Sequence, residues 1–222
     1  MVLAAGLGTR MGRLTETTPK PLLEVGADTL IGRHLARLAA AGVTEAVVNV
    51  ARHGERIRAA LGDGARWNLE LRYSDEGPVP LETGGGLLRA LPQLGPEPFI
   101  VVNADVLTDF DFAALRLPEA DGAIVLVPNP EHHSGGDFGL TDDGLVRAEG
   151  PRLTYAGIAV FDPKMFEGWA PGRQPLKPIL DAAIGRSALR GIRYDGLWID
   201  VGTPERLEQA RGAVHRTSGG RR

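Results

Sequence analysis

The sequence of 222 residues contains no cysteine, which excludes disulfide bonds, thiol chemistry and zinc sites built on thiolates. It also has no apolar run that approaches the roughly 20 residues of a membrane-spanning helix, and no signal-peptide pattern precedes its first apolar run. Positive and negative residues nearly balance, and the formal net charge of −3 argues against nucleic-acid binding through bulk electrostatics. These absences predict a cytoplasmic protein that acts on neither membranes nor nucleic acids.

Apolar residues make up 43% of the chain and fall into short periodic segments, as in a globular protein. Strand-like runs at 45–50, 69–73 and 99–105 alternate with helical patterns at 54–61 and after Glu82. This alternation predicts a mostly parallel sheet covered by helices.

The length suits one large α/β domain, which we predict over residues 1–214. The basic tail at 215–222 is predicted to be disordered. The sequence leaves the oligomeric state open, a monomer included.

The most informative stretch lies at the N-terminus and reads Val2-Leu3-Ala4-Ala5-Gly6-Leu7-Gly8-Thr9-Arg10-Met11. Its apolar start predicts a buried strand, and the small residues that follow let backbone N–H groups converge on an anion. Arg10 adds a forked cation, and Lys20 adds a point charge between two prolines. Met11 stands where the dinucleotide motif needs a third glycine, and the Gly-Lys-Ser/Thr of the Walker loop is absent. The pattern therefore predicts a phosphate-binding loop of another kind.

Together with Pro19-Lys20-Pro21-Leu22, the stretch 3–11 closely resembles the signature of the sugar-1-phosphate nucleotidyltransferases. Further motifs follow in that family's order at 81–86, 99–105 and 198–204, so the resemblance covers nearly the whole chain. It implies an α/β fold, a Rossmann-like three-layer α/β/α sandwich with a mostly parallel mixed sheet. It also implies an enzyme that joins a sugar-1-phosphate and a nucleoside triphosphate into a nucleotide-sugar and releases pyrophosphate.

The resemblance places the nucleotide against the first loop and against the segment that leads into the helix after Glu82. The implied contacts come from Leu3, Ala4, Ala5, Gly6, Gly8, Thr9, Arg10, Ser74, Glu76, Thr83 and Gly84. Three consecutive glycines, 84–86, are costly at a helix start, so we expect a flat ligand to approach there. The plain alternative is a strand-to-helix turn in which Glu82 favours the helix start.

Two aspartates follow predicted strands, at the edge where open α/β sheets bind ligands. Asp105 ends the strand 99–105, although in isolation it could also be a turn or helix-capping residue. Asp200 precedes Thr203-Pro204, a strong helix-start signal, and resembles the second metal-binding aspartate of the family's Trp-x-Asp-x-Gly-Thr-Pro motif. The resemblance therefore implies that Asp105 and Asp200 hold Mg²⁺.

The catalytic residues that the resemblance implies are Arg10, Lys20, Asp105 and Asp200. The attacking phosphate oxygen is already anionic at neutral pH, so the reaction needs no general base. Catalysis would then depend on alignment and on charge neutralisation. We expect Arg10 to bind the leaving pyrophosphate, and Lys20 to lie between the α-phosphate and the sugar phosphate.

The sugar-phosphate contacts that the resemblance implies involve Lys20, Glu82, Asp137, Glu149 and Gly157. Gly157, in the strand pattern 154–161, is expected to leave room for a ligand. Many family members carry Glu-Lys-Pro where this sequence reads Glu149-Gly150-Pro151, and the missing lysine weakens any inference of a hexose substrate. The adjacent His132 and His133 point to opposite sides of an extended segment, so we do not expect them to share a metal ion.

The stretches 80–86 and 127–138 are similar to those of the N-acetylmuramate-1-phosphate uridylyltransferases of peptidoglycan recycling. This similarity implies UTP and N-acetylmuramate-1-phosphate as substrates. Mannose-1-phosphate with GTP is the first alternative, and a transferase that loads molybdopterin or a cytidylyl group onto another acceptor is another. A non-catalytic nucleotide-binding regulator is a more distant alternative, because such a protein need not keep Arg10, Lys20, Asp105 and Asp200.

Overall fold

The computed structural model describes residues 1–219 and the side chains of residues 1–216. Its strands, in chain order, are β1 (Val2–Leu3), β2 (Glu24–Val25), β3 (Asp28–Thr29), β4 (Glu45–Val50), β5 (Glu70–Asp75), β6 (Phe99–Asn103), β7 (Val106–Thr108), β8 (Gly122–Val127), β9 (Phe138–Leu140), β10 (Val146–Arg147), β11 (Arg152–Phe161), β12 (Leu189–Arg193) and β13 (Trp198–Asp200). Its helices are α1 (Leu14–Thr17), α2 (Leu30–Ala40), α3 (Gly54–Leu61), α4 (Glu82–Leu94), α5 (Lys177–Gly185) and α6 (Pro204–Gly219).

A mixed sheet of nine strands forms the centre of the fold. β6, β1, β4 and β5 run parallel to one another in that spatial order. The long β11 pairs antiparallel with β6 on one side and with β8 on the other, and β12 adds to β8 in parallel. β9 and β10 form a small antiparallel extension at the start of β11. The mixed sheet with helices on it confirms the predicted fold class.

Each face of the sheet is covered by its own pair of helices. On one face, apolar residues of α2 and α3 pack against Val48 and Val50 of β4. On the other face, residues of α4 and α5 pack in the same cluster as Val47 of β4 and Val101 of β6. The neighbours Val47 and Val48 thus point to opposite faces, as successive residues of a strand must. The result is three layers, helix, sheet and helix, with a core on each side.

Helix boundaries follow the sequence signals closely. Thr29 caps α2, since its hydroxyl accepts a hydrogen bond of 3.0 Å from the Gly32 amide. α3 covers the predicted segment 54–61 and stops at Gly62, whose φ of 60° a residue with a side chain rarely adopts.

The last helix, α6, packs against the N-terminal segment of the chain. Leu207 and Ala210 of α6 share an apolar cluster with Met11 of the N-terminal loop and with Val25 of β2. The helix continues to Gly219, so the predicted disordered tail is wrong for residues 215–219, and residues 220–222 lie outside the described part. None of the helices within residues 1–219 has the length and apolar character needed to cross a membrane.

His34 of α2 is buried, as its place on the apolar stripe predicts. Its Nε2 lies 2.7 Å from the Val106 carbonyl oxygen, and its Nδ1 has no partner among the described residues. Burial lowers the pKa of His34 from 6.5 to about 4, although the hydrogen bond to Val106 and the charge of Asp105 oppose this shift.

This depressed pKa predicts a loss of stability in acid. Below about pH 6.5 His34 is protonated in the unfolded chain, whereas in the folded chain it stays neutral down to about pH 4. The free energy of unfolding therefore falls as the pH decreases through this range. Between about pH 7.5 and about pH 5, wild type should lose about 2 kcal/mol more than His34→Gln. Urea unfolding of both proteins at the two pH values measures this difference. An identical pH dependence in the two proteins would contradict it.

Candidate active site

The predicted site residues gather at the carboxyl ends of β1, β4 and β6, where three cavities adjoin. We name them the strand-end cavity, the loop cavity and the carboxylate cavity, with volumes of about 180, 440 and 340 Å³. Asp105 lines all three, Gly6 and Lys20 line the first two, and Arg10 lines the last two. The three cavities therefore form one continuous cleft.

The glycine loop after β1 is fixed at both ends and open in the middle. At its start the Ala4 amide donates to Oδ1 of Asn49 at 2.6 Å. At its end the Thr15 hydroxyl and the Met11 amide both donate to the Gly8 carbonyl, at 2.9 Å each. Gly8 adopts a φ of 65°, while Gly6 is exposed to the cleft with no heavy atom within 4 Å of where a Cβ would lie. The loop is thus held in place around an empty concave surface.

Two cations border this surface. Lys20 is buried between Pro19 and Pro21, and its Nζ lies 2.5 Å from Oδ2 of Asp105. Arg10 is exposed on the loop and forms no ion pair with any residue in the described part of the chain. One cation is therefore already balanced by a carboxylate, and the other is free to bind an anion.

Asp105 and Asp200 line the same cavity although 95 positions separate them. β13 pairs antiparallel with β7, in a register that sets Asp200 opposite Val106. The Val201 amide also donates to the Asp105 carbonyl at 2.9 Å. Both aspartates consequently line the carboxylate cavity. The ribbon of β7 and β13 lies outside the main sheet, and the sequence pattern did not reveal it.

Asp200 has a cation of its own. Nη1 of Arg206, on the first turn of α6, lies 3.1 Å from its Oδ2, and Nε2 of His132 lies 3.6 Å from the same oxygen. Within residues 1–216, no group of three or more histidine or acidic side chains is placed to hold a metal ion. Two carboxylates in one polar cavity still fit Mg²⁺, because this ion binds through one or two carboxylates together with substrate phosphates and water.

Most residues predicted to bind nucleotide do lie in the cleft. Those in the strand-end cavity are Leu3, Ala4, Ala5, Gly6, Glu76 and Thr83. Those in the loop cavity are Gly8, Thr9 and Arg10. Ser74 does not line any of the three cavities; it is 1% exposed and its hydroxyl has no partner in the described structure. Its predicted contact with the base is not supported by this position.

The glycines 84–86 face protein and not open space. A Cβ on Gly84 would lie 2.7 Å from the Pro175 carbonyl oxygen, and one on Gly85 would lie 2.2 Å from that of Gly172. On Gly86 it would lie 2.4 Å from Oε1 of Glu76. The expectation that a flat ligand explains this triplet is therefore wrong, because the segment 172–175 and Glu76 take up that space. Gly84 itself lines none of the three cavities.

The predicted sugar-side residues have different positions. Glu82 lines the strand-end and loop cavities with a φ of 62° and pairs with Arg173 at 2.8 Å. Gly157 lines the carboxylate cavity, but a Cβ there would lie 2.5 Å from Nδ2 of Asn103, so the room it leaves is filled by that side chain. Asp137 lies behind the cavity, where it contacts His133 at 3.0 Å and accepts from the Tyr155 amide at 2.8 Å.

Glu149 is exposed near the hairpin of β9 and β10 and lines none of the three cavities. Its predicted contact with the sugar phosphate has no support in this arrangement, in keeping with the missing lysine at Gly150.

Sequence reasoning missed a polar network in the wall of the strand-end cavity. Nδ2 of Asn49 donates to Oε1 of Glu76 at 2.6 Å, and Oε2 of Glu76 accepts from the Leu81 amide at 2.7 Å. Asn49 thereby ties the glycine loop to the start of α4. The signal was the one polar residue, Asn49, in the apolar run 46–50 of β4, near the carboxyl edge where functional groups of parallel sheets collect.

The comparisons with known proteins agree with this geometry. The chain matches the nucleotidyl transferase family model over residues 1–217. It is 48% identical to the N-acetylmuramate alpha-1-phosphate uridylyltransferase of Neisseria meningitidis, covering 95% of this chain and 96% of that protein. Its identity to the protein of the same name in Caulobacter vibrioides is 37%, over 92% of both chains.

More distant relatives share the fold. The catalytic subunit beta of mannose-1-phosphate guanylyltransferase from Drosophila pseudoobscura is 30% identical, over 92% of this chain and 59% of that one. HddC from Yersinia pseudotuberculosis, solved in complex with GMP-PN, superposes with a TM-score of 0.78 at 22% identity, covering 96% and 97% of the two chains. The family match and these identities show that the chain belongs to the nucleotidyl transferase family and is a sugar-1-phosphate nucleotidyltransferase.

Proposed function

We propose that the protein transfers a uridylyl group from UTP to N-acetylmuramate-1-phosphate, giving UDP-N-acetylmuramate and pyrophosphate. The observation that carries the reaction class is one cleft that joins the glycine loop, Arg10, Lys20, Asp105 and Asp200. The substrate pair is supported by the 48% identity to a relative of that name over nearly the whole of both chains. A cytoplasmic place in peptidoglycan recycling belongs to the same proposal.

The residues of the cleft suit a reaction between two anions. The sugar phosphate oxygen needs no activation by a base, so the protein must orient it and offset its repulsion from the triphosphate. The open surface at Gly6 and the backbone of the glycine loop accept the triphosphate, and the unpaired Arg10 binds its terminal phosphates with a forked guanidinium. The buried Lys20 lies deeper, where the α-phosphate and the sugar phosphate meet.

Asp105 and Asp200 would hold Mg²⁺ in the carboxylate cavity. When bound, this ion neutralises phosphate charge and aligns the two reactants. The aspartates supply the negative oxygen ligands that the ion requires, and Lys20 and Arg206 compensate their charge in its absence.

The acceptor side carries a feature that suits N-acetylmuramate. This sugar bears a lactyl carboxylate at C3, which a plain hexose lacks. His132 and His133 both line the carboxylate cavity, and the flanking Gly135 and Gly136 keep the loop small. An imidazole N–H donor in this position can hydrogen-bond the lactyl carboxylate.

The identity of the substrates can be tested by pyrophosphate release. We expect efficient turnover of N-acetylmuramate-1-phosphate with UTP and little turnover of mannose-1-phosphate with GTP, because the 48% relative is named for the first acceptor. Mannose-1-phosphate guanylyltransferase activity is the second candidate, favoured by the relatives near 30% identity. Turnover of mannose-1-phosphate with GTP alone would overturn the substrate assignment but leave the reaction class unchanged. No turnover with either pair would favour a non-catalytic nucleotide-binding regulator.

The metal site predicts the effect of removing one carboxylate. Asp105→Asn and Asp200→Asn should each lower turnover at least about a hundredfold, since each removes a charge that anchors the ion. Steady-state rates with Mg²⁺ measure this loss, and Asp142→Asn, an exposed turn residue outside the cleft, is the matched control. Near-normal activity of Asp200→Asn would show that the two-carboxylate site is wrong.

The two cations are expected to differ in their effects. Arg10→Ala should weaken binding of the nucleoside triphosphate, because it removes a free guanidinium at the loop. Lys20→Ala should reduce turnover and change nucleotide affinity less, since Lys20 acts deeper in the cleft. Calorimetric titration of nucleotide separates the two, with the exposed Arg13→Ala as control. Equal losses of nucleotide affinity in Arg10→Ala and Lys20→Ala would contradict this division.

A further inference from the structure

Arg206 has no role in the reaction described so far, yet it contacts one of the two cleft carboxylates. We propose that Arg206 is a positioning residue that holds Asp200 and competes with the divalent cation for it, so that metal binds tightly only together with a nucleotide. This inference rests on the metal site of the proposed function.

The burial of Arg206 is the first argument. Its side chain is 11% exposed, and an arginine is always charged. Nε and Nη1 are buried without a hydrogen-bond partner among the described residues. A buried guanidinium with unmatched donors costs stability, so a stabilising role does not explain it.

The nature of the contact is the second argument. Nη1 lies 3.1 Å from Oδ2 of Asp200, but the pair does not meet the geometry of a hydrogen bond. The attraction is therefore mainly between the two charges, and another cation near Asp200 can replace it. Asp105 is balanced by Lys20, in this case through a hydrogen-bonded ion pair, so neither carboxylate of the cavity carries an uncompensated charge in the metal-free protein.

Gly202 provides the space for this contact. A Cβ at this position would lie 2.1 Å from Nη2 of Arg206 and 3.1 Å from Oδ1 of Asp200. Gly202 does not have a positive φ, so the backbone itself does not demand glycine. The glycine of the Asp-x-Gly motif is thus explained by the guanidinium that lies against it.

This charge balance makes tight binding of the metal ion depend on bound nucleotide. A divalent cation that enters alone meets two carboxylates already neutralised by Lys20 and Arg206. A triphosphate on the glycine loop adds several negative charges to the same cleft and shifts the balance toward the metal. Arg206 then remains beside Asp200 and limits how that carboxylate can turn.

The test is Mn²⁺ binding to the protein, followed by electron paramagnetic resonance of the free ion, with and without α,β-methylene-UTP. Wild type should bind Mn²⁺ weakly alone and at least about tenfold more tightly with the analogue, after correction for Mn²⁺ bound by the analogue itself. Arg206→Gln should bind Mn²⁺ alone at least about tenfold more tightly than wild type. A structural defect would not raise this affinity.

Two further variants complete the experiment. Gly202→Ala should also tighten binding of Mn²⁺ alone, because the added methyl group displaces the guanidinium and leaves its charge in the chain. Arg211→Gln is the matched control, since it removes an arginine of the same helix that pairs with Glu208 away from the cleft, and it should behave as wild type.

Equal Mn²⁺ affinity of wild type and Arg206→Gln without nucleotide would overturn the inference, and so would equal affinity of wild type in both states. Neither of these two results would contradict the proposed metal site at Asp105 and Asp200. No Mn²⁺ binding by wild type or Arg206→Gln in either state would overturn the metal site itself and this inference with it.

Discussion

The candidate site depends on the pairing of two short strands. β7 follows Asp105 directly and β13 ends at Asp200, so their antiparallel pairing brings both aspartates to the carboxylate cavity. The chain then enters α6, whose apolar residues pack against Met11 of the glycine loop. The loop, Asp105 and Asp200 come from the beginning, middle and end of the chain. The site can therefore form only after these distant segments have closed on one another, which is entropically costly.

Charge is distributed in this cleft to accept phosphate. Around the carboxylate cavity, Arg10, Lys20 and Arg206 lie near Asp105 and Asp200, and the two buried cations are the ones that are paired. The exposed Arg10 forms no ion pair among the described residues. Burial of an unpaired cation would cost much more than its exposure, which accounts for this division. A polyanionic substrate that enters the cleft thus contacts the exposed Arg10 first, and the ion pairs Lys20–Asp105 and Arg206–Asp200 lie deeper.

The sequence predicted the elements well where local signals decide, and less well where distant segments meet. The strand 45–50 agrees with β4 because an apolar run defines it, and the helix 54–61 agrees with α3 because apolar periodicity and the terminal Gly62 define it. A short strand ending at Asp200 was predicted, but β7 and its pairing with β13 were missed, since that pairing leaves no local pattern. Ser74 and Glu149 lie outside the three cavities, because the place of a residue along the chain does not determine which face of the fold it reaches.

The glycines show most clearly what a motif can and cannot reveal. Four of them line the three cavities: Gly6, Gly8, Gly157 and Gly202. Gly8 and Gly157 are needed for their positive φ, and Gly202 gives space to a side chain of the protein itself. Gly6 has neither reason, because its φ is not positive and nothing lies within 4 Å of its missing Cβ. The absence of a side chain at Gly6 leaves its backbone open to the cleft, as the proposed binding of a phosphate there requires.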